Sequence, residues 1–248
     1  MNEVKVIEVS MNGAKVGRIA LTPDAFCAFE YAPEWLATGV SVSPFHLPLR
    51  SEVFVAKRTP FNGGFGVYDD SLPDGWGNLI LDRYLKSKGI DPYKLTILQR
   101  LALVGGTGRG ALEYRPDYSV SSAGKIINFD HLATETQKIL TTEYDGGSLD
   151  TLYQHGGSPG GARPKVFVTI DGKEWLVKFK ATGDPDRIGQ IEYEYSLLAK
   201  NCGIAMPETR LFEGKYFAVG RFDRTPDGKI HTVSAAGLYY ARSKNAFL

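Results

Sequence analysis

An α+β fold is predicted by two features of the sequence. Alternating apolar runs are joined by two-residue Asn-Gly, Asp-Gly and Glu-Gly turns. Separate stretches carry apolar residues at the helical period of 3.6. Composition agrees with a folded chain: of 248 residues, 43% are hydrophobic and 23% charged, too apolar for disorder. No apolar run approaches the roughly 18 residues that span a bilayer. The opening MNEVKVIEVS lacks the apolar stretch and cleavage site of a secretory signal. The formal net charge of +1 argues against a chain that coats nucleic acid. Cys27 and Cys202 are the two cysteines, which excludes a disulfide framework and fits a reducing cytoplasm.

The elements follow in order. Val4, Val6 and Val9 lead into the Asn12-Gly13 turn, and Val16, Ile19 and Leu21 form the return strand. Phe26, Phe29 and Tyr31 predict a third strand and Val53-Phe54-Val55 a fourth, with no helical period before residue 70. Asp74 is placed to cap a helix whose Trp76, Leu79, Ile80, Arg83 and Tyr84 share one side, and Gly89 ends it. A second helix starts near Pro92, with Leu95, Leu98, Leu101 and Ala102 as its stripe. The Gly105–Gly110 run closes this block before a short strand, Ala111 to Tyr114. Asp117 to Lys125 reads as a Ser-rich linker and Phe129 to Thr141 as a helix. Beyond a Gly-rich loop, Gly156–Gly161, the Asp171-Gly172 turn joins Val166–Ile170 to Trp175–Phe179. A helix from about Asp186 to Asn201 carries Ile188, Ile191, Tyr195 and Leu198 on one face, with Gly203 as its stop. Leu211-Phe212, Glu213-Gly214 and Tyr216–Val219 make a last hairpin.

The second half therefore runs Gly-rich loop, hairpin with a lysine on its second strand, helix with a glutamate, hairpin, polar exit. That is the layout of a kinase N-terminal lobe. Glycines let backbone N–H groups approach phosphate oxygens. A strand lysine supplies a fixed cation, and a helix carboxylate holds it. The candidates are Gly160, Gly161, Ala162, Arg163, Pro164 and Lys165 for the loop, Lys178 for the cation and Glu192 for the tether. Glu194 stands close by, and helix face alone does not choose between the two glutamates. Gly220, Arg221 and Phe222 fall at the adenine edge and Asp223 at the ribose.

The sequence resembles the HipA family of bacterial toxin kinases up to about Tyr240. In the first half the resemblance rests on Phe29–Leu36, on Leu72-Pro73-Asp74-Gly75-Trp76-Gly77-Asn78 and on Gly105–Pro116. In the second half it rests on Gly156–Lys165, Val177-Lys178-Phe179, Glu192-Tyr193 with Leu197–Lys200, and Arg221-Phe222-Asp223-Arg224. It implies a serine/threonine protein kinase toxin of a type II toxin–antitoxin module that uses ATP and Mg²⁺. The implied architecture is a β-rich N-terminal subdomain with helices, a kinase-like N-lobe and a helical C-lobe. The implied partners are a HipB-like helix-turn-helix antitoxin, operator DNA through that antitoxin, and a protein substrate such as an aminoacyl-tRNA synthetase; no membrane is implied. Ser158 falls on the serine whose autophosphorylation inactivates the kinase, Lys178 on the ATP-contacting lysine, and Gly220 and Phe222 on the hinge. Two negative charges added at Ser158 would repel ATP from the loop.

The sequence departs from the family after Arg224. Asp227 is the single acidic residue there, and residues 229–248 hold no Asp or Glu. Neither the carboxylate that orients an attacking hydroxyl nor a Mg²⁺ ligand can come from that stretch. The expectation is a truncated member lacking the C-lobe, inactive alone, with no catalytic or metal-ligating residue of its own. Its division would be 1–120 (N-terminal subdomain), 121–155 (linker and helix) and 156–248 (truncated N-lobe). Ala241–Leu248 reads as a frameshift tail, a natural truncation or an artificial end. Two alternatives stay open: a non-catalytic nucleotide- or partner-binding fragment, such as the N-terminal part of a split toxin or an antitoxin-binding module, and an unrelated phosphate binder using Gly105–Gly110. The second suffers because that loop follows a helix, whereas phosphate cradles precede one. Trp35, Trp76 and Trp175 read as packing residues, and Cys27 and Cys202 as buried thiols. His46, His131, His155 and His231 lack metal-ligand spacing with the cysteines.

Overall fold

In a computed structural model that describes residues 3–120, 128–141, 149, 152–153 and 160–241, Asn12 and Gly13 take φ values of 48° and 81°. These are the two left-handed positions a type I′ turn requires. Asp171-Gly172 and Glu213-Gly214 take the same pair of conformations. In chain order the elements are β1 (Val6–Met11), β2 (Ala14–Leu21), β3 (Cys27–Tyr31), α1 (Pro33–Leu36), β4 (Phe54–Val55), α2 (Gly66–Asp69), α3 (Gly75–Ser87), α4 (Ile97–Val104), β5 (Leu112–Arg115) and α5 (Phe129–Leu140). There follow β6 (Lys165–Ile170), β7 (Lys173–Lys178), α6 (Ile188–Asn201), β8 (Thr209–Phe212), β9 (Tyr216–Gly220), β10 (Arg224–Thr225), β11 (Gly228–Lys229) and α7 (Ala235–Tyr239).

The described residues fall into two units. One comprises the chain up to Leu72, Tyr93–Ser119 and the part from Asp223 onward; the other comprises Pro73–Pro92 and Val120–Phe222. This grouping cuts across the contiguous division read from the sequence, because α3 belongs with the later sheet and β10, β11 and α7 with the earlier one.

In the first unit an antiparallel sheet runs β4-β3-β2-β1-β5. Strand alternation turns Ile7, Val9, Ile19, Phe29 and Tyr114 into a core shared with Leu98 and Leu101 of α4, and the β-bulge opposite Val9 and Ser10 adds Val16. A capping box starts α4: the Thr96 hydroxyl accepts from the Gln99 N–H at 3.2 Å, and the Gln99 side chain accepts from the Thr96 N–H at 2.9 Å. The helix expected from Pro92 therefore begins at Ile97, and Pro92–Lys94 form a separate 3₁₀ turn. The short helices α1 and α2 break the expectation of none before residue 70; four residues are too few for a visible period. Cys27 is buried, and burial pushes its thiol up to about 12. Cys202 is exposed, contrary to expectation, since it follows α6 at the helix's solvent-facing end.

In the second unit an antiparallel sheet runs β6-β7-β9-β8. One face carries Val166, Val168, Trp175 and Val177, all buried. The aromatic rings continue that packing: Trp175 meets Phe212 edge-on at 5.6 Å, and Phe129 of α5 stacks on Phe212 at 5.4 Å. The opposite face carries Phe167, Leu176 and Val219, all half-buried. The face expected on α6 fails in part: Tyr195 and Leu198 are 68% and 56% exposed, and Gly189 and Ser196 are the buried residues. A glycine and a serine carry no apolar signal, so periodicity pointed to the wrong side. Along α3 the buried residues are Trp76, Gly77, Ile80, Leu81 and Leu85. Arg83, placed on the apolar side from sequence, reaches the Ile139 carbonyl at 2.7 Å.

Candidate functional site

Alternation along β7 puts Lys178 on the face opposite Trp175 and Val177. Its ammonium lies 3.2 Å from both carboxylate oxygens of Glu192 on α6 and 5.3 Å from the Phe217 ring centre. Glu194 instead pairs with Arg187 at 3.5 Å on the exposed side of the helix, which decides between the two glutamates. What seats α6 is Gly189. A Cβ there would stand 1.8 Å from the Lys215 carbonyl oxygen, so only a glycine lets the helix backbone touch the turn between β8 and β9.

The loop residues Gly160 to Lys165 meet the start of α3. The Gly161 N–H donates to Asp74 Oδ1 at 2.6 Å, and the Gly161 carbonyl accepts from the Trp76 N–H at 3.2 Å. The Trp76 indole N–H donates to the Lys165 carbonyl at 2.9 Å. Gly75 permits this approach, since a Cβ on it would lie 2.8 Å from Ala162 Cα. Asp74 thus sits at the helix N-cap but makes no side-chain cap bond, against expectation; its carboxylate is spent on the loop. Arg163 pairs with Asp184. Burial pushes the Asp184 carboxyl up, but the Arg163 hydrogen bond and the Ala181 N–H at 2.9 Å outweigh it and hold the group below its usual range. The Pro164 carbonyl accepts from the Phe179 N–H at 2.9 Å.

Lys165 is the direct cross-strand partner of Lys178 and is 5% exposed. Its ammonium stands 3.1 Å from the point where a Cβ on Gly161 would lie. Two lysines facing each other on a sheet repel. The sheet tolerates the pair directly beneath a glycine loop.

The exit segment is divided. The N–H groups of Gly220 and Arg221 are bound to the carbonyls of Glu208 (2.8 Å) and Glu174 (3.0 Å). The Arg221 guanidinium lies 4.0 Å over Phe167 and 3.0 Å from the Glu174 carboxylate. Phe222 is 62% exposed. Asp223 belongs to the first unit, where it accepts from the Gly110 N–H at 2.8 Å and from Arg224 at 2.9 Å. The Gly105–Gly110 loop is filled by such contacts: Arg224 donates to the Gly108 and Gly110 carbonyls, Lys229 to that of Gly106, and the Gly106 N–H goes to Asp117. Of the N–H groups a phosphate would use, those of Gly106 and Gly110 already go to carboxylates and that of Thr107 to the Val104 carbonyl. Ser158, with Gly156, Gly157 and Pro159, lies outside the described residues, as does the tail from residue 242.

Sequence reasoning missed the apolar row beside Lys178. Phe167 pairs with Leu176, and Leu176 with Val219, forming a half-exposed strip across three strands. Alternation of β6, β7 and β9 could have found it. It also missed a cavity of about 560 Å³ at the end of β7, lined by Arg163, Lys178, Glu192, Asp130, Gln137 and Tyr216 among others. Asp130 accepts from the Tyr216 hydroxyl and from Lys215; these bonds, the hydroxyl first, hold its carboxyl below the usual range. Among the described residues no group of three His, Cys, Asp or Glu side chains could hold a metal ion, and no helix is long and apolar enough to cross a membrane.

Residues 7–115 match the family model for the HipA N-terminal domain, and residues 157–247 that for the HipA-like C-terminal domain. Among solved structures, the Shewanella oneidensis MR-1 toxin–antitoxin complex of HipA, HipB and its operator DNA contains a chain similar to this one. The TM-score is 0.57 at 20% identity, over 88% of this chain and 51% of that one. The chain thus spans about half the length of that relative, and the likeness is one of fold.

Proposed function

The chain belongs to the HipA family, and from that premise we propose that its second unit is the ATP-binding part of a HipA-type serine/threonine protein kinase toxin. The observation that carries this reading is the Lys178–Glu192 pair at 3.2 Å, with Lys165 opposite Lys178 in the sheet. A strand lysine held by a helix carboxylate is how kinases fix a cation against nucleotide phosphates. Lys165 and Lys178 stand opposite each other in the sheet, so two ammonium groups are offered to a triphosphate. Leu176 and Val219, beside the Phe167 ring that Arg221 covers, supply an apolar surface for a purine face. On this reading the base edge falls to Gly220–Phe222, where the N–H groups of Gly220 and Arg221 are already bonded.

The residues present fit the phosphates of ATP. They do not fit a Mg²⁺ ion: Glu192 is engaged by Lys178, and among the described residues no acidic cluster stands beside it. No phosphoryl-transfer step is therefore routed through a metal here. The chain's own residues bind and orient the triphosphate. The autophosphorylated residue on this reading is Ser158, and the partner is a HipB-like antitoxin that carries any contact with operator DNA.

The test is ATP titration of the purified chain against Lys178→Ala. Millimolar-range binding by the wild type and at least tenfold weaker binding by the variant are expected, since removing the cation leaves Glu192 facing the phosphates. Equal binding by the two would overturn the assignment.

A further inference from the structure

Asp74 stands where a helix cap should be and does not act as one. It occupies the N-cap of the 13-residue helix α3, yet its side chain makes no bond to that helix. The carboxylate instead takes the N–H of Gly161, 87 residues on, at 2.6 Å. Gly161 belongs to the glycine loop whose backbone N–H groups are the natural phosphate donors. A carboxylate and a phosphate oxygen compete for such a donor on the same terms, each a charged acceptor.

The loop does not need this bond for its position. The Trp76 N–H to the Gly161 carbonyl and the Trp76 indole to the Lys165 carbonyl already tie it to α3. Lys165 brings its ammonium next to Gly161, 3.1 Å from the position of a Cβ there.

We propose that the Asp74 carboxylate is a built-in competitor for phosphate: it occupies the Gly161 N–H, and nucleotide engages the loop only when that bond opens. The proposal rests on the reading of the second unit as an ATP site and names the control of that site. It makes α3 an affinity-setting element of a loop that lies far along the chain.

The experiment uses the full chain with MgATP as the probe, in wild type, Asp74→Ala, Asp74→Asn and each combined with Lys178→Ala. Asp74→Ala frees the donor and removes the charge; ATP affinity is expected to rise about tenfold. Asp74→Asn removes only the charge, retains a good N-cap residue and should give about threefold. Hydrogen exchange of the Gly161 amide should accelerate in Asp74→Ala, which reports the bond itself. Equal or weaker ATP binding by both Asp74 variants, with Lys178 dependence intact, overturns the competitor and spares the nucleotide site. Absence of Lys178-dependent binding in every background overturns the site, and the competitor with it.

Discussion

Gly189→Ala tests whether the seating of α6 governs the Lys178–Glu192 pair. The new methyl would lie 1.8 Å from the Lys215 carbonyl oxygen and 2.9 Å from its carbon. Contact distances are nearer about 3.5 Å, and the obstacle is backbone, so no rotamer change relieves it. The helix must retreat by roughly 1.5 Å. Glu192 travels with it, opening the 3.2 Å pair to about 4.5 Å, beyond hydrogen-bonding reach. Alanine favours a helix over glycine by about 1 kcal/mol, while overpacking costs about 1–3 kcal/mol, and backbone contact this close lies at the upper end. The net loss is about 1–2 kcal/mol, or a Tm lower by about 4 °C for a chain of this size. Thermal unfolding followed by circular dichroism reads the stability, and ATP titration reads the pair. Glu194→Ala, on the exposed side of the same helix, is the control and should change neither beyond error. A Tm that rises in Gly189→Ala, with ATP affinity unchanged, would show that helix propensity outweighs the contact and refute the seating argument.

Two further outcomes follow from the side-chain environments. The Asp130 carboxyl is held below its ordinary value of 3.8 by the Tyr216 hydroxyl and then by Lys215. Its contribution to stability is complete above that ordinary value and is lost as the pH falls through the lower folded one. Asp130→Asn should therefore flatten the acid limb of the urea midpoint plotted against pH; an unaltered limb would remove Asp130 from the linkage. For the cysteines, Ellman's reagent at about pH 8 should titrate one thiol in the native chain, Cys202, and the second only after unfolding. Cys27, pushed up to about 12 by burial, is neutral there, so rapid reaction of both thiols in the folded chain would contradict its burial.

The local elements were legible because their causes are local. A type I′ turn needs two left-handed residues, and Asn12-Gly13 and Asp171-Gly172 tolerate that conformation whatever surrounds them. The same holds for the alternation of β6 and β7 and for the order of glycine loop, strand lysine and helix glutamate. The exposed flank of α6 was misread because apolar residues there face solvent, while the contact that seats the helix is made by Gly189, a residue with no side chain to detect.

By itself the sequence determined the hairpins, the strand that carries Lys178 and the helix that carries a carboxylate toward it. The tertiary structure decided which partners meet: Glu192 rather than Glu194 at Lys178, Asp74 at the glycine loop rather than on its own helix, and Asp223 at the Gly110 N–H. Turn and strand preferences are free energies of single residues and their neighbours, readable in a window of a few positions. A hydrogen bond spanning 87 residues depends on two segments being brought within ångströms by packing elsewhere, and no local window contains that information.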